Sequence, residues 1–166
     1  MSDRLRTIHV GLGHMGAEIA RLVYRRDDME IVGAVDVSPD KIGADLGEVI
    51  GLKHRLGITV AGSIEAARPE TGAGVAVHAT GSHLPQVYPQ LAQLIESELN
   101  VISTCEELAY PAWQHPELAQ ELDRLAGDHG VTVLGSGVNP GFVMDKLPIT
   151  LTGACQEVQS VRVTRV

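Results

Sequence analysis

A glycine-rich segment near the N-terminus has the residue types and the spacing that can hold a dinucleotide. It reads Gly-Leu-Gly-His-Met-Gly and lies between an apolar run, residues 7–10, and an amphipathic stretch. The first glycine of this pattern permits a tight turn, the second lets the backbone approach a pyrophosphate, and the third allows close helix packing. The free N–H groups of the helix N-terminus then face the phosphates. We therefore predict cofactor contacts along this segment, at Gly11, Gly13, His14, Met15 and Gly16.

An acidic residue lies where a dinucleotide-binding segment needs an acceptor for the hydroxyl groups of the adenosine ribose. Asp36 follows the apolar run of residues 30–35, a little more than the ~20 residues expected after the glycines. A carboxylate there accepts hydrogen bonds from ribose hydroxyls and repels a 2′-phosphate, which favours NAD. Lys41 lies close enough in the sequence to keep NADP possible. The alternative interpretation is a glycine-rich turn with a merely solvated Asp36.

Two further acids follow another apolar run directly. Glu106 and Glu107 come after residues 101–103. At the carboxyl edge of a parallel sheet they could act as a receptor for a cation or as a general base, and burial would raise the pKa of such a carboxylate. The alternative is that both acids cap the next helical turn, where they suit the helix dipole. The residues alone leave these two interpretations open.

Other strand ends are expected at the same edge, because ligands of open α/β sheets bind outside the carboxyl ends of the strands. Thr80, Gly81 and Ser82 are predicted to pass near the ribose and phosphates, with a plain polar turn as the alternative. Ser103 ends the next strand and is placed with the cofactor contacts. Asn139 belongs to the Gly-rich segment after the last predicted strand.

The histidines and cysteines give no metal-ligand spacing, so no metal site is predicted. His83 follows the Thr-Gly-Ser turn and is placed at the cleft, with a structural role favoured over a catalytic one. His78 lies within an apolar strand and is interpreted as a core histidine with hydrogen-bond partners. Cys105 is interpreted as a buried small residue. Trp113 is interpreted as a residue that packs its own Pro-bounded segment, with the wall of a pocket as the alternative.

The elements that must position these residues alternate along the chain. Strands are predicted at 7–10, 30–35, 58–60, 75–79, 101–103 and 131–134. Helices are predicted at 14–24, 41–50, 64–67, 85–99 and 117–128, with Ser38 and Pro39 at the start of the second. Short apolar strands that alternate with helices predict an α/β fold, a Rossmann-type doubly wound parallel sheet.

The end of the chain is predicted to differ from the rest. Val158, Val161, Val163 and Val166 interleave with polar residues in the manner of an irregular strand. We therefore expect a dinucleotide-binding domain over residues 1–152. Residues 153–166 are expected to be either the start of a truncated second domain or an edge strand of the sheet.

Composition narrows the function classes. The 166 residues carry a formal net charge of −8, which argues against nucleic-acid binding, and 44% hydrophobic residues suffice for a core. No apolar run reaches the ~20 residues of a membrane span. Two cysteines are too few for a disulfide framework. We predict a cytoplasmic protein with free thiols.

Two segments go beyond a generic pattern. Residues 100–111 (NVISTCEELAYP) and 135–145 (GSGVNPGFVMD), together with the glycine motif, resemble the family of 2,4-diaminopentanoate dehydrogenases and native amine dehydrogenases. The N-terminal domain of this family is similar to dihydrodipicolinate reductase. The resemblance extends over about residues 7–166. It implies NAD(P)-dependent oxidative deamination of an amine, reversible as reductive amination of a ketone.

The resemblance also implies roles for particular residues. A glutamate after the Val-Ile-Ser strand handles the amine or ammonia, which points to Glu106 or Glu107, with Glu107 preferred. Asn139 matches the nicotinamide-side loop and is expected to contact the carboxamide or the substrate. Family members continue into a second domain that builds much of the substrate pocket and the homodimer contacts. The present chain is therefore expected to be a cofactor domain that could lack turnover. An imine reductase like dihydrodipicolinate reductase and a non-catalytic NAD-binding domain remain alternatives.

Overall fold

The computed structural model describes residues 4–67 and 73–164, which contain one six-stranded parallel sheet. The strands are β1 (Leu5–Val10), β2 (Met29–Val35), β3 (Val60–Ala61), β4 (Val75–His78), β5 (Asn100–Ser103) and β6 (Val133–Gly135). Their order in the sheet is β3-β2-β1-β4-β5-β6, and every neighbouring pair is parallel. The predicted Rossmann-type doubly wound sheet is confirmed, since this is the strand order of dinucleotide-binding folds.

Helices connect the strands in the predicted alternation. They are α1 (His14–Tyr24), α2 (Leu46–Val49), α3 (Ile64–Ala67), α4 (Leu84–Glu96), α5 (Pro111–Gln114), α6 (Pro116–Asp128) and α7 (Leu147–Thr152). A 3₁₀ turn covers Glu106–Ala109 and a π-helical turn covers Phe142–Lys146. No helix among the described residues is long and apolar enough to cross a lipid bilayer.

The core lies on both faces of the sheet. On one face Ile8 and Val10 of β1 pack with Leu91 of α4 and Leu122 of α6. On the other face the core is built around Leu12, Ala20, Ile31, Leu46 and Ile50. These side chains are nearly or fully buried, so their removal from water fixes the helices against the strands. The carboxyl ends of the strands are thereby held in one line.

The helix predicted to start at Ser38 is wrong. Residues 39–43 form a turn, because Gly43 has a positive φ of 85° and its N–H donates to the Val60 carbonyl, away from any helix. The helix begins only after Asp45, whose carboxylate accepts the Gly47 N–H at 2.8 Å. An acidic N-cap of this kind supplies an acceptor for a free helical donor.

The strand predicted from the spaced valines near the end is also not formed in the described part of that segment. Residues 158–164 have no strand conformation and are nearly all exposed. A strand needs a neighbour for its N–H and C=O groups. Among the described residues, β6 is the last strand on its side of the sheet, and no strand pairs with its outer edge. Val166 lies outside the described residues.

Candidate functional site

The strand register brings the predicted site residues to one edge of the sheet. Val10 at the end of β1 pairs with Val35 of β2 and with His78 of β4. His78 in turn pairs with Ser103 at the end of β5, and Ser103 with Gly135 at the end of β6. The turns that follow these strands therefore open side by side, where ligands of such sheets bind.

The three glycines of the motif meet three different surroundings. A Cβ on Gly11, which has a φ of +87°, would lie 2.6 Å from the Ala79 carbonyl oxygen. A Cβ on Gly16 would overlap the Gly11 carbonyl oxygen. A Cβ on Gly13 would meet no atom within 4 Å, since this residue faces open space at the start of α1. The first and third glycines thus allow the chain to fold closely, and the second leaves room for a ligand.

A Gly13→Ala variant is expected to keep the fold and to lose cofactor affinity. The backbone of Gly13 (φ −62°, ψ −173°) suits any residue, so the free energy of unfolding should fall by less than about 1 kcal/mol. The added methyl group occupies the space in which a phosphate would approach the helix N-terminus. Calorimetric titration with NADH should show at least about tenfold weaker binding, about 1.4 kcal/mol. Unchanged affinity would contradict phosphate binding at this turn.

Asp36 is buried and holds the glycine turn in place. Its Oδ2 accepts the Leu12 N–H at 2.8 Å, and its Oδ1 accepts the Ser38 N–H at 2.8 Å. Lys41 Nζ donates to Asp36 Oδ2 at 3.0 Å and to the Leu12 carbonyl at 2.9 Å. Burial alone would raise the pKa of Asp36, but the hydrogen bonds from Ser38, Leu12 and Lys41 together outweigh it and lower this pKa. The carboxylate is therefore ionised.

The cleft beside this turn has a volume of about 460 Å³. Among the predicted site residues, its lining includes Gly11, Gly13, Asp36 and Thr80. The lining also contains Lys41 and several polar residues that sequence reasoning did not identify, namely Ser63, Glu65, Gln90 and Gln93. Their only signal would have been their position after β3 and along α4, near the carboxyl edge.

Glu107 lies in the 3₁₀ turn that follows β5, and like Asp36 its carboxylate accepts three hydrogen bonds. Its Oε1 accepts from His83 Nδ1 at 2.9 Å. Its Oε2 accepts the Leu84 N–H at 2.8 Å and a hydrogen bond from His115 Nε2 at 2.8 Å. Glu107 thus caps the N-terminus of α4, where a negative charge is favourable. Sequence reasoning placed His83 at this edge but gave no role to His115.

The hydrogen bonds reverse the pKa shift that was expected for Glu107. The bond from His83 is the largest influence, and together with the Leu84 N–H and His115 it lowers the pKa to about 2, although burial opposes this. The expectation of a raised pKa is therefore wrong for this residue. Glu106 differs, because it is exposed and its side chain forms no hydrogen bond or ion pair within the part of the chain that the structure describes. Geometry favours Glu107 of the two acids.

Ser103 does not face the cleft, which corrects its placement among the cofactor contacts. The residue is fully buried, and its Oγ lies 2.8 Å from His78 Nδ1 and accepts the Cys105 N–H at 3.1 Å. The Thr80 hydroxyl donates to Gln90 Oε1 at 2.7 Å and lies 2.8 Å from His78 Nε2. Burial lowers the pKa of His78. His78 is therefore the hydrogen-bonded core histidine that was predicted.

The remaining predicted contacts are spread along the same edge. His14 and Met15 are exposed on the first turn of α1. Gly81 and Ser82 are half-buried, and the Ser82 carbonyl accepts the Glu107 N–H at 3.2 Å. Asn139 is half-buried in the loop after β6, and among the described residues its side chain bonds none of the cleft residues.

Two other predictions concern the neighbourhood of these residues. Cys105 is buried, as predicted, and burial raises the pKa of its thiol. Trp113 is 80% exposed, so the prediction that it packs against its own segment is wrong. No group of His, Cys, Asp and Glu within residues 4–67 and 73–164 could hold a metal ion.

The strand order, the glycine turn and the buried acid after β2 define a Rossmann-type domain of the dinucleotide-binding class. The family described as dihydrodipicolinate reductase, N-terminus, matches residues 6–105, and the chain belongs to this family.

Longer relatives resemble the whole chain. It is 39% identical over 166 residues to 2,4-diaminopentanoate dehydrogenase of Acetoanaerobium sticklandii, in an alignment that covers 99% of this chain and 46% of the relative. It is 26% identical over 161 residues to an amine dehydrogenase of Streptomyces virginiae, in an alignment that covers 94% of this chain and 44% of the relative. The amine dehydrogenase structure from Mycobacterium smegmatis superimposes with a TM-score of 0.85 at 32% identity, over 93% of this chain and 45% of that one. The chain spans less than half the length of these relatives.

Proposed function

We propose that the chain is the cofactor domain of an NAD(P)-dependent oxidoreductase that acts on an amine. The observation that carries this proposal is the ionised Glu107 in the turn after β5, on the same sheet edge as the glycine turn that follows β1. The 39% identity to a 2,4-diaminopentanoate dehydrogenase supports it. A bound nicotinamide ring would exchange hydride with the amine-bearing carbon.

The hydrogen bonds of Glu107 suggest a receptor for a cation. An ionised carboxylate offers about four acceptor positions, and Glu107 uses three of them, for His83, Leu84 and His115. One position, on Oε1, remains, so the carboxylate keeps negative charge that attracts a substrate ammonium. With its pKa lowered to about 2, Glu107 is a weak proton acceptor at neutral pH. We therefore assign it electrostatic stabilisation of the positively charged amine nitrogen.

Two measurements test the proposed function. The protein that contains this chain should reduce the nicotinamide cofactor when an aliphatic amine is present. Ammonia, as a product, should inhibit the reaction. A rate that does not depend on the amine would contradict the proposal. Calorimetric titration of this chain with NADH and NADPH should show binding of at least one of them. Turnover of a cyclic imine with no response to open-chain amines would support a reductase like dihydrodipicolinate reductase. Cofactor binding without any turnover by the whole protein would indicate a non-catalytic domain.

We further propose that NAD is preferred and that NADP binds more weakly. The ionised Asp36 repels a 2′-phosphate, and Lys41 Nζ, 3.0 Å from Asp36 Oδ2, offsets part of this repulsion. The roles of Gly81, Ser82 and Asn139 beside the cofactor, a domain boundary near residue 152, a homodimeric whole protein and a cytoplasmic location remain predictions.

A Lys41→Gln variant should therefore become more selective for NAD. Its binding of NADPH should weaken about tenfold, because the hydrogen bond from Lys41 to the charged 2′-phosphate is lost and such a bond contributes about 1.5–3 kcal/mol. Its binding of NADH should change less than about threefold. Titration calorimetry with both cofactors measures this ratio. Lys53→Gln is the matched control, because Lys53 is an exposed lysine that does not line the cleft. Equal weakening of both cofactors would mean that Lys41 acts only by supporting the Leu12 turn.

A further inference from the structure

Glu107 joins two histidines that come from different segments of the chain. His83 precedes α4 and binds Oε1 through Nδ1, and His115 lies between α5 and α6 and binds Oε2 through Nε2. Each histidine thus presents a different ring nitrogen to the same carboxylate. We call these three residues the Glu107 cluster.

The charge of Glu107 determines which nitrogen of each neutral ring carries the proton. An ionised carboxylate only accepts hydrogen bonds, so the nitrogen that faces it must be an N–H. His83 is therefore protonated on Nδ1 and has its lone pair on Nε2, whereas His115 is protonated on Nε2 and has its lone pair on Nδ1. This assignment follows from the two contacts of 2.9 and 2.8 Å.

Of the two rings, His83 has the more accessible lone pair. Its side chain is 63% exposed, against 25% for His115. His83 also follows Ser82 directly, in the turn after β4 that contributes Thr80 to the cleft. Its Nε2, on the far side of the ring from Glu107, is thus a proton acceptor at the carboxyl edge of the sheet.

We propose that His83 is the acid–base residue of the reaction and that Glu107 orients it. This inference rests on the function proposed above, and it replaces a purely structural role for His83. Glu107 then acts on the substrate nitrogen through His83, because its charge fixes the tautomer of the ring that exchanges the proton and stabilises the imidazolium that forms. A positioned imidazole is the commonest proton acceptor in enzymes that work near neutral pH.

The proton step balances without a further reactant. In deamination, an N–H bond of the substrate ammonium breaks, and its proton forms a new bond with the lone pair of His83 Nε2. The substrate nitrogen keeps the electron pair, which would become the second bond of a C=N group if the neighbouring carbon gave hydride to a bound, oxidised nicotinamide. In amination the imidazolium returns the proton to the new amine.

The tautomer can be tested on this chain without any turnover. Nitrogen-15 NMR of the neutral imidazole rings should show His83 as the Nδ1–H tautomer and His115 as the Nε2–H tautomer. In Glu107→Gln, His83 should lose this fixed tautomer. A predominant Nε2–H form of His83 in the unsubstituted chain would overturn the proposal.

The catalytic role is tested by the pH profile of the whole protein. His83→Asn keeps an N–H donor at the Nδ1 position but has no proton acceptor, so kcat near neutral pH should fall about 10²–10⁴-fold. The acid limb of the profile for deamination should disappear, while the Kd for NADH changes less than about twofold. His129→Asn, at the end of α6 and outside the cluster, is the histidine control.

The results separate the two proposals. If the unsubstituted protein shows no amine-dependent turnover, the proposed function fails, whatever the tautomer of His83. If it turns over amine and His83→Asn retains both the rate and the acid limb, the proposed function stands and the role of His83 is wrong.

Discussion

Glu107→Gln is expected to lower amine turnover at least about 100-fold in the protein that contains this chain. The substitution removes the negative charge that would attract the substrate ammonium, and it replaces one carboxylate oxygen by an amide N–H donor. An amide N–H cannot accept a hydrogen bond, so at least one of the three donors that the carboxylate satisfies, His83, the Leu84 N–H or His115, loses its acceptor. Loss of a hydrogen bond to a charged group and loss of an oriented proton acceptor both contribute to the expected fall.

Comparison with Glu106→Gln decides between the two acids. Glu106 is exposed, and its side chain forms no hydrogen bond or ion pair with any described residue. Its substitution should therefore change kcat less than about threefold. Steady-state kinetics of both variants with amine and NAD measure the difference. Equal losses, or a larger loss in Glu106→Gln, would contradict the assignment of Glu107.

The same substitution should reveal a pH-dependent contribution of Glu107 to stability. Its pKa is lowered in the folded chain from 4.5 to about 2, so the ionised carboxylate stabilises the fold above the unfolded pKa. That contribution is lost as the pH falls from about 4.5 towards 2. Urea unfolding should therefore show that the difference in the free energy of unfolding between the unsubstituted chain and Glu107→Gln becomes smaller as the pH falls through this range.

Gly16→Ala is expected to destabilise the fold by about 2–3 kcal/mol, the range of a severe overpacking substitution. The new Cβ would overlap the carbonyl oxygen of Gly11, so either α1 or the glycine turn must move. For a domain of this size the midpoint of thermal unfolding should fall by about 5–10 °C. The displaced turn should also weaken NADH binding, because its N–H groups no longer face the phosphates.

Gly127→Ala is the matched control for this effect. Gly127 lies in α6, and a Cβ there would meet no atom within 4 Å. Alanine has a higher helix propensity than glycine, so this variant should be as stable as the parent or more stable by up to about 1 kcal/mol. Calorimetry should show a lower midpoint of thermal unfolding for Gly16→Ala and an unchanged or higher midpoint for Gly127→Ala. A stable Gly16→Ala with intact NADH binding would contradict the packing role of Gly16.

Features that depend on neighbours in the chain could be predicted from the sequence. The alternation of apolar strands and amphipathic helices predicts the parallel sheet, and the spacing from Gly11 to Asp36 predicts the first turn. Both are properties of short segments, in which residue type directly determines conformation. The turn at residues 39–43 escaped prediction because Gly43 bonds across the sheet edge to Val60, a partner that periodicity does not reveal.

The arrangement around Glu107 could not be predicted, because it depends on how distant segments meet. His83 is 24 positions from Glu107, and only the pairing of β4 with β5 brings the two together. His115 reaches the same carboxylate from the far side of α5. The direction of the pKa shift follows from this count of donors. Sequence reasoning that considers burial alone gives the opposite sign.

The bond between His115 and Glu107 has a consequence for local unfolding. Helix α5 buries none of its residues, so few contacts hold this segment and it belongs to the low-stability parts of the domain. When it detaches, His115 leaves Glu107, and the carboxylate that caps α4 loses one of its three donors. The Leu84 amide then becomes easier to open, so hydrogen exchange at the first turn of α4 is coupled to breathing of a surface helix on another segment.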